Sequence, residues 1–295
     1  MGRCARKLLA LTALAVAALC SAVAAASPPA WRVATGADAQ MWLLGSVHLL
    51  REQDHPLPPI IDTLYNGAEV VVFELDLDDL DPAATQTEFL SAAMLADGST
   101  LAEHLSPAVY ERAQAATARL GFELRLLERF QPWFAAITLL EIGLQRQGIR
   151  AENGVEHYLL GKAVRDGKSV LGLETVAEQL AVFAELSADE QQGLLEQSLD
   201  ELDAPTGTVD ELIDAWRDGR FDVLTEELGA EFERFPELYA ALVVERNQKW
   251  IDVLEAHLTA PEPRLVVVGA LHLVGEHSVI DLLRERGWSV EPAAP

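Results

Sequence analysis

The stretch Arg264-Leu265-Val266-Val267-Val268-Gly269-Ala270-Leu271-His272 decides how the chain folds. Its apolar, β-branched run reads as a strand buried on both faces, as strands of a parallel sheet do. Gly269 then lets the backbone turn or approach a neighbour closely. The histidine three residues later hangs over the sheet edge. Near the other end of the chain the same signature recurs, where Met41-Trp42-Leu43-Leu44 leads into Gly45-Ser46-Val47-His48. A leucine follows each histidine, Leu49 in one case and Leu273 in the other. Two distant strands that finish alike predict one sheet assembled from both ends of the chain, with two imidazoles meeting over one site.

The rest of the chain fits around that pair. Trp31-Arg32-Val33-Ala34 and Met41-Trp42-Leu43-Leu44 flank the turn Gly36-Ala37-Asp38 and predict a hairpin. Glu69-Val70-Val71-Val72-Phe73-Glu74 suits a third buried strand, Ser169-Val170-Leu171-Gly172-Leu173 a shorter one, and Trp288-Ser289-Val290 a last edge strand. Apolar residues at three and four spacing predict helices over 107–120, 132–147, 155–166, 176–186 and 188–199. A long periodic stretch over 232–258 breaks near Pro236, and a helix over 274–286 closes at Gly287. The fold class is therefore α/β (or α+β), a central mixed sheet with a large helical insert, roughly residues 80–240, as a cap over the strand ends. Functional groups in such sheets gather at the carboxyl ends of strands.

The N-terminus reads as a secretory signal peptide rather than as part of the domain. Arg3, Arg6 and Lys7 precede an apolar run from Leu8 to Leu19, and small residues at Ala22, Ala24 and Ala26 offer cleavage sites. The expected organisation is a signal over residues 1–26 and a single domain over 27–295, periplasmic or secreted, with no stable membrane span once the signal is removed. Cleavage takes three cations and no acid with it, and also both cysteines, Cys4 and Cys20. The exported chain then has no disulfide, no thiol nucleophile and no cysteine-bound metal. The full chain carries 22 basic against 47 acidic residues, a formal charge of −25. Nucleic acid is thereby disfavoured as a partner, and so is an anionic membrane surface, because both need clustered lysine and arginine.

Chemistry concentrates at the strand ends. Glu74 closes an apolar strand, where a lone ionised carboxylate is costly unless it is paired or bound to a metal. His48, Glu74 and His272, with one open position for water, make a sufficient ligand set for a hydrolytic metal site. Glu174 ends another strand and reads either as a general base or partner behind a ligand histidine, or as an acid ahead of a helix. Arg246, in Arg246-Asn247-Gln248-Lys249-Trp250, reads either as an anchor for a substrate carboxylate or oxyanion, or as the partner of a structural carboxylate. Trp133 and Trp250 read as packing groups. His55, His104, His157 and His257 read as surface groups, and His277 as a helix-start residue. Gly45-Ser46 is no nucleophile elbow, and Gly167-Lys168-Ser169 lacks the upstream glycine of a phosphate loop.

The ordered segments from Trp31 to Val290 resemble the TraB/GumN family, which includes the TIKI-type proteases of animals. The segments that carry the likeness are Leu44-Gly45-Ser46-Val47-His48, Val72-Phe73-Glu74-Leu75-Asp76, Asp97-Gly98-Ser99-Thr100-Leu101, Gln131-Pro132-Trp133, Gly154-Val155-Glu156, the run from Gly167 to Thr175 with Glu178-Gln179, Arg246 to Trp250, and Val268 to Gly275. The resemblance implies a metal-dependent hydrolase in which the paired Gly-x-x-His motifs and the glutamate form the active centre, and so His48, His272 and Glu74, around a divalent ion (manganese, cobalt or zinc). The family often has aspartate where this chain has Glu156, which leaves the role of that longer acid open. The expectation is an exported hydrolase acting on a peptide or small acyl substrate. A peptide- or ligand-sequestering protein on the same fold, and metal or haem-iron handling, stand as alternatives. Sheet-edge pairing into a homodimer is compatible with the sequence.

Overall fold

A computed structural model describes residues 28–34, 41–76, 81–204, 207–232 and 234–293. The proposed signal peptide and the Gly36-Ala37-Asp38 turn lie outside those residues. Among the described residues six strands form one sheet: β1 (Ala30–Ala34), β2 (Met41–Ser46), β3 (Val70–Leu75), β4 (Ser169–Glu174), β5 (Arg264–Gly269) and β6 (Ser289–Pro292). Their order across the sheet is β4-β3-β5-β2-β1-β6. The four strands β4, β3, β5 and β2 run parallel, while β1 lies antiparallel between β2 and β6. The sheet is thus mixed and built from both ends of the chain, with β5 seated between β2 and β3.

Both faces are covered, so the central strands carry continuous apolar runs rather than alternating ones. On β5, Leu265 and Val267 join one core with Val71, Phe73, Leu159 and Trp216. Val266 and Val268 join the opposite core with Val70, Val72, Trp250 and Leu254. The insert carries a third core, in which Leu101, Val109, Ala135, Leu139, Leu195 and Leu199 pack together. The insert also donates β4 to the sheet edge, so its two flanking helical parts are tied to the strands that bear the site.

The helices Pro107–Arg119, Pro132–Arg146, Val155–Asp166, Val176–Ala184 and Ala188–Asp203 fall where the periodicity puts them. Pro107 and Pro132 occupy first-turn positions, where a missing N–H costs nothing. The expected helix over 274–286 is shorter, running only Val279–Glu285. Gly275 and His277 hold φ of 76° and 60°, outside helical space, and the Ser278 hydroxyl caps the helix that follows. The periodic stretch from Phe232 is also corrected. Phe232 ends the helix Phe221–Phe232, and the chain then continues through Pro236–Tyr239 and a π turn, Ala240–Val244, into Glu245–Leu258. Such π turns recur at functional sites, and this one ends two residues before Arg246. Among the described residues no helix is long and apolar enough to cross a membrane.

Candidate functional site

The carboxyl ends of the four parallel strands converge. The Gly45–His48 turn leaves β2, Glu74 lies near the end of β3, Glu174 ends β4, and Gly269 ends β5 ahead of the 3-10 turn Ala270–Leu273 that carries His272. The Nε2 atoms of His48 and His272 face the same oxygen, Glu74 Oε1, at 3.9 Å and 4.0 Å. Gly269 lies between all three groups. A Cβ there would come within 3.2 Å of His48 Nε2, 3.5 Å of Glu74 Oε1 and 3.7 Å of His272 Cδ2. Its backbone N–H donates to Glu74 Oε1 at 2.9 Å.

Each imidazole is oriented from behind. Glu156 Oε1 lies 2.8 Å from His48 Nδ1 and also accepts the Ser46 hydroxyl. Asn247 Oδ1 lies 2.7 Å from His272 Nδ1, and the Asn247 amide donates to the His277 carbonyl at 3.0 Å. Neither Glu156 nor Asn247 is near its histidine in sequence. Glu156 arrives through backbone pairing: Leu50 and Arg150 exchange hydrogen bonds, and Val155 N–H donates to the Val47 carbonyl at 3.1 Å. Gly154 makes this approach possible, since a Cβ there would lie 2.0 Å from the His48 carbonyl oxygen. The first turn of the helix Val155–Asp166 favours the Glu156 carboxylate.

Arg246 fills the inner side of the cluster. Its Nη2 lies 2.6 Å from Glu74 Oε2 and 2.6 Å from Glu174 Oε1, and its Nε donates to Glu174 Oε2 at 3.2 Å. Its Nη1 lies 3.2 Å from His272 Nε2. The Trp250 ring stacks beneath the guanidinium and beside His272, with centroid distances of 4.7 Å and 4.5 Å. Glu174 is fully engaged, because Gln179 Nε2 and Trp250 Nε1 supply two more donors at 3.1 Å each. Glu174 therefore reaches the cluster through Arg246 and touches neither histidine. Trp250 does more than pack, while Trp133 is buried in the insert, stacked on Phe183.

The electrostatics separate the two imidazoles. The Glu156 carboxylate pushes His48 up to about 9, chiefly by charge and against the opposing pull of desolvation. The His48 side chain is crowded by these groups yet 56% exposed, so solvent screens part of that attraction. Burial pushes His272 down to about 4, and the Arg246 charge adds to the shift. Burial works to raise Glu74, but His272, His48, Arg246 and the Gly269 N–H outweigh it and bring that carboxyl down to about 2. At neutral pH, where His272 carries no proton, the other three do that work. Burial disfavours the Arg246 cation as well, and the facing carboxylates of Glu74 and Glu174 more than offset it.

The donor set fits a divalent ion in kind: two imidazole nitrogens and an ionised carboxylate, each imidazole held through Nδ1 by a side-chain oxygen. The spacing is looser. Ligand atoms around a tetrahedral ion with bonds of about 2.0–2.1 Å lie about 3.3 Å apart, below the 3.9 Å and 4.0 Å found here. Among the described residues, no three acidic or imidazole groups are already closed around one point.

Comparison with known proteins places the chain. A model of the TraB/PrgY/gumN family matches residues 29–292, and the chain belongs to that family. It is 28% identical to the uncharacterized protein YbaP of Escherichia coli (strain K12), over 82% of this chain and 87% of the relative. The same figures hold for YbaP of Shigella flexneri. An uncharacterized protein of Treponema pallidum (strain Nichols) is 20% identical over 93% of this chain and 86% of its own length. No solved structure matches the chain.

Sequence reading singled out five of the converging groups: His48, Glu74, Glu174, Arg246 and His272. It leaves Glu156 without a role, and gives none at the site to Ser46, Gln179 and Asn247, which stand only within the quoted motifs. Asn247 carried one usable signal, its place directly after Arg246 in Arg-Asn-x-x-Trp.

Proposed function

We propose that the chain is an exported, metal-dependent hydrolase of the peptidase kind. The observation that supports it best is the shared orientation of two imidazoles. Both Nδ1 atoms rest on side-chain oxygens, and both Nε2 atoms face Glu74 Oε1. That is the arrangement in which an outer oxygen fixes the tautomer of a ligand histidine. His48, Glu74 and His272 would hold a divalent ion such as manganese, cobalt or zinc, which would supply Lewis-acid chemistry and activate water there. The chain's own residues do the rest. Glu156 and Asn247 hold the rings, the Gly269 N–H fixes Glu74, and Arg246 offers its Nη1 to charge developing on a substrate carbonyl oxygen.

The test is a metal assay on the purified protein, beside His48→Ala and His272→Ala, with cleavage of a mixed peptide library followed by mass spectrometry. Near-stoichiometric divalent metal, lost in both variants together with cleavage, supports the reading. Unchanged metal content in both variants overturns it. Capture of peptides without cleavage would return the chain to the sequestering alternative.

One observation favours a second reading. Arg246 Nη1 already occupies the lone pair of His272 Nε2 at 3.2 Å. In a metal-free hydrolase, His48 takes the proton of the attacking water once pH rises toward about 9 and empties its Nε2, and the Arg246 charge stabilises the oxyanion. Turnover that survives exhaustive chelation selects this version; turnover abolished by chelation and restored by a divalent ion selects the first.

A further inference from the structure

Two cavities of about 470 Å³ each open beside the cluster, and His48 lines both. The walls of the first are apolar, among them Leu49, Leu144, Ile149, Leu212, Trp216 and Leu242, and its polar groups are few and include His48, Arg246 and His272. The Trp216 indole N–H, which would otherwise leave a polar spot in that wall, is spent on the Gly45 carbonyl at 2.8 Å. The second cavity holds Glu74, Glu156, His157 and Gln179 along with Leu160. A molecule lying across His48 therefore has room on both sides, apolar on one and more polar on the other.

The charges limit what that molecule is. Glu74 and Glu174 face the one guanidinium of Arg246 and Glu156 faces His48, so a proton on both imidazoles would still leave no surplus cation. A free carboxylate or phosphate next to the reacting bond finds no unpaired partner here. A neutral carbonyl needs no such countercharge.

We propose that the substrate is the interior of a polypeptide, bound with a large apolar side chain in the Leu144–Leu212–Leu242 cavity and its backbone continuing over His48 into the second cavity. The proposal rests on the hydrolase reading. In the reaction the amide C–N bond breaks, water gives its hydroxyl to the acyl carbon, and its proton goes to the leaving amine. Walls of this kind recognise size and apolarity rather than a particular side chain, so leucine, norleucine and phenylalanine are all accepted.

The test separates binding from turnover. Affinities of doubly blocked acetyl-Ala-Ala-Xaa-Ala-amide peptides are measured by calorimetry on His48→Ala, which cannot turn them over under either version of the chemistry. Xaa runs through alanine, aminobutyrate, norvaline and norleucine. Each added methylene should tighten binding roughly fourfold. Leu212→Trp, which fills the cavity, should abolish that dependence on side-chain length. A matched peptide ending in a free carboxylate directly after Xaa should bind more weakly than its amide. A flat or falling methylene series overturns the proposal, and because it uses no cavity variant it stands even if Leu212→Trp fails to fold. Wild-type cleavage is scored separately. A rising series with no cleavage under any metal sinks the hydrolase reading and leaves the apolar site; cleavage with a flat series sinks only the site.

Discussion

The two Gly-x-x-His turns are alike in sequence and opposite in chemistry. Gly45-Ser46-Val47-His48 presents an imidazole that is 56% exposed, leans on a carboxylate and is pushed up to about 9. Gly269-Ala270-Leu271-His272 presents one that is 7% exposed, leans on a neutral amide oxygen, faces an arginine and is pushed down to about 4. The turns supply position; residues from other elements supply character. Environments that drive the protonation of neighbouring groups apart are also what assigns acid and base roles in active sites.

Removing Arg246 should break the comparison most severely. Arg246→Ala leaves Glu74 and Glu174 facing each other in a buried place without their cation, a loss of about 3–5 kcal/mol. It also deletes a positive charge beside His272 Nε2. Denaturant unfolding should show the loss of stability, and in protein that still folds His272 should titrate above about 4. Stability within about 1 kcal/mol of wild type, the cost of an ordinary substitution, would mean that the Arg246 cluster is solvated and the buried-charge account is wrong.

The asymmetry also marks where the sequence stops being legible. The strands could be read because a doubly covered sheet leaves continuous apolar runs, and Glu74 stood out because it interrupts one. His48 and His272 followed from a repeated turn. Glu156 could not be placed, because it meets His48 through the Leu50–Arg150 bridge and the close pass at Gly154, and neither leaves a local pattern. Asn247 sits on a helix whose register is displaced by the π turn ahead of it. The helices Pro59–Gly67, Pro82–Ala93 and Thr208–Asp218 were passed over. The segment after His272 was expected to be helical from Val274, but Gly275 and His277 keep it open long enough for the His277 carbonyl to hold Asn247. Periodicity reports which face is buried; it does not report such tertiary ties.

Exchanging the residues behind the rings should sharpen the comparison. In metal-free Glu156→Gln, His48 should fall from about 9 toward the ordinary value of about 6.5. Because its folded value is raised, the stability drawn from the His48–Glu156 pair is fully present below about pH 6.5 and lost as pH rises through about 9. The stability gap between wild type and Glu156→Gln should therefore narrow across that window. The reverse exchange is Asn247→Asp, which gives His272 the carboxylate that His48 has and should raise its titration by roughly 1–3 pH units. Histidine ring resonances in NMR titrations read both. Little movement in either variant would mean that exposure alone, rather than the residue behind each ring, separates the two imidazoles.

Ser46 offers the finest test, because it acts on His48 only through Glu156. Its hydroxyl donates to the same Oε1 that pairs with His48, while Glu156 Oε2 is buried with no hydrogen-bond partner among the described residues. Ser46→Ala removes one of the donors that share the carboxylate charge, so Glu156 should attract His48 more strongly and His48 should titrate slightly higher. The cost in stability should be about 1 kcal/mol, the net worth of one hydrogen bond. In the Glu156→Gln background the same substitution should leave the His48 titration where it was, because there is no carboxylate charge left to redistribute. That non-additivity is what separates a relay through Glu156 from a packing effect of the serine. A shift of equal size in both backgrounds would assign Ser46 to packing, and a downward shift in wild type would show that the hydroxyl reaches His48 by another route.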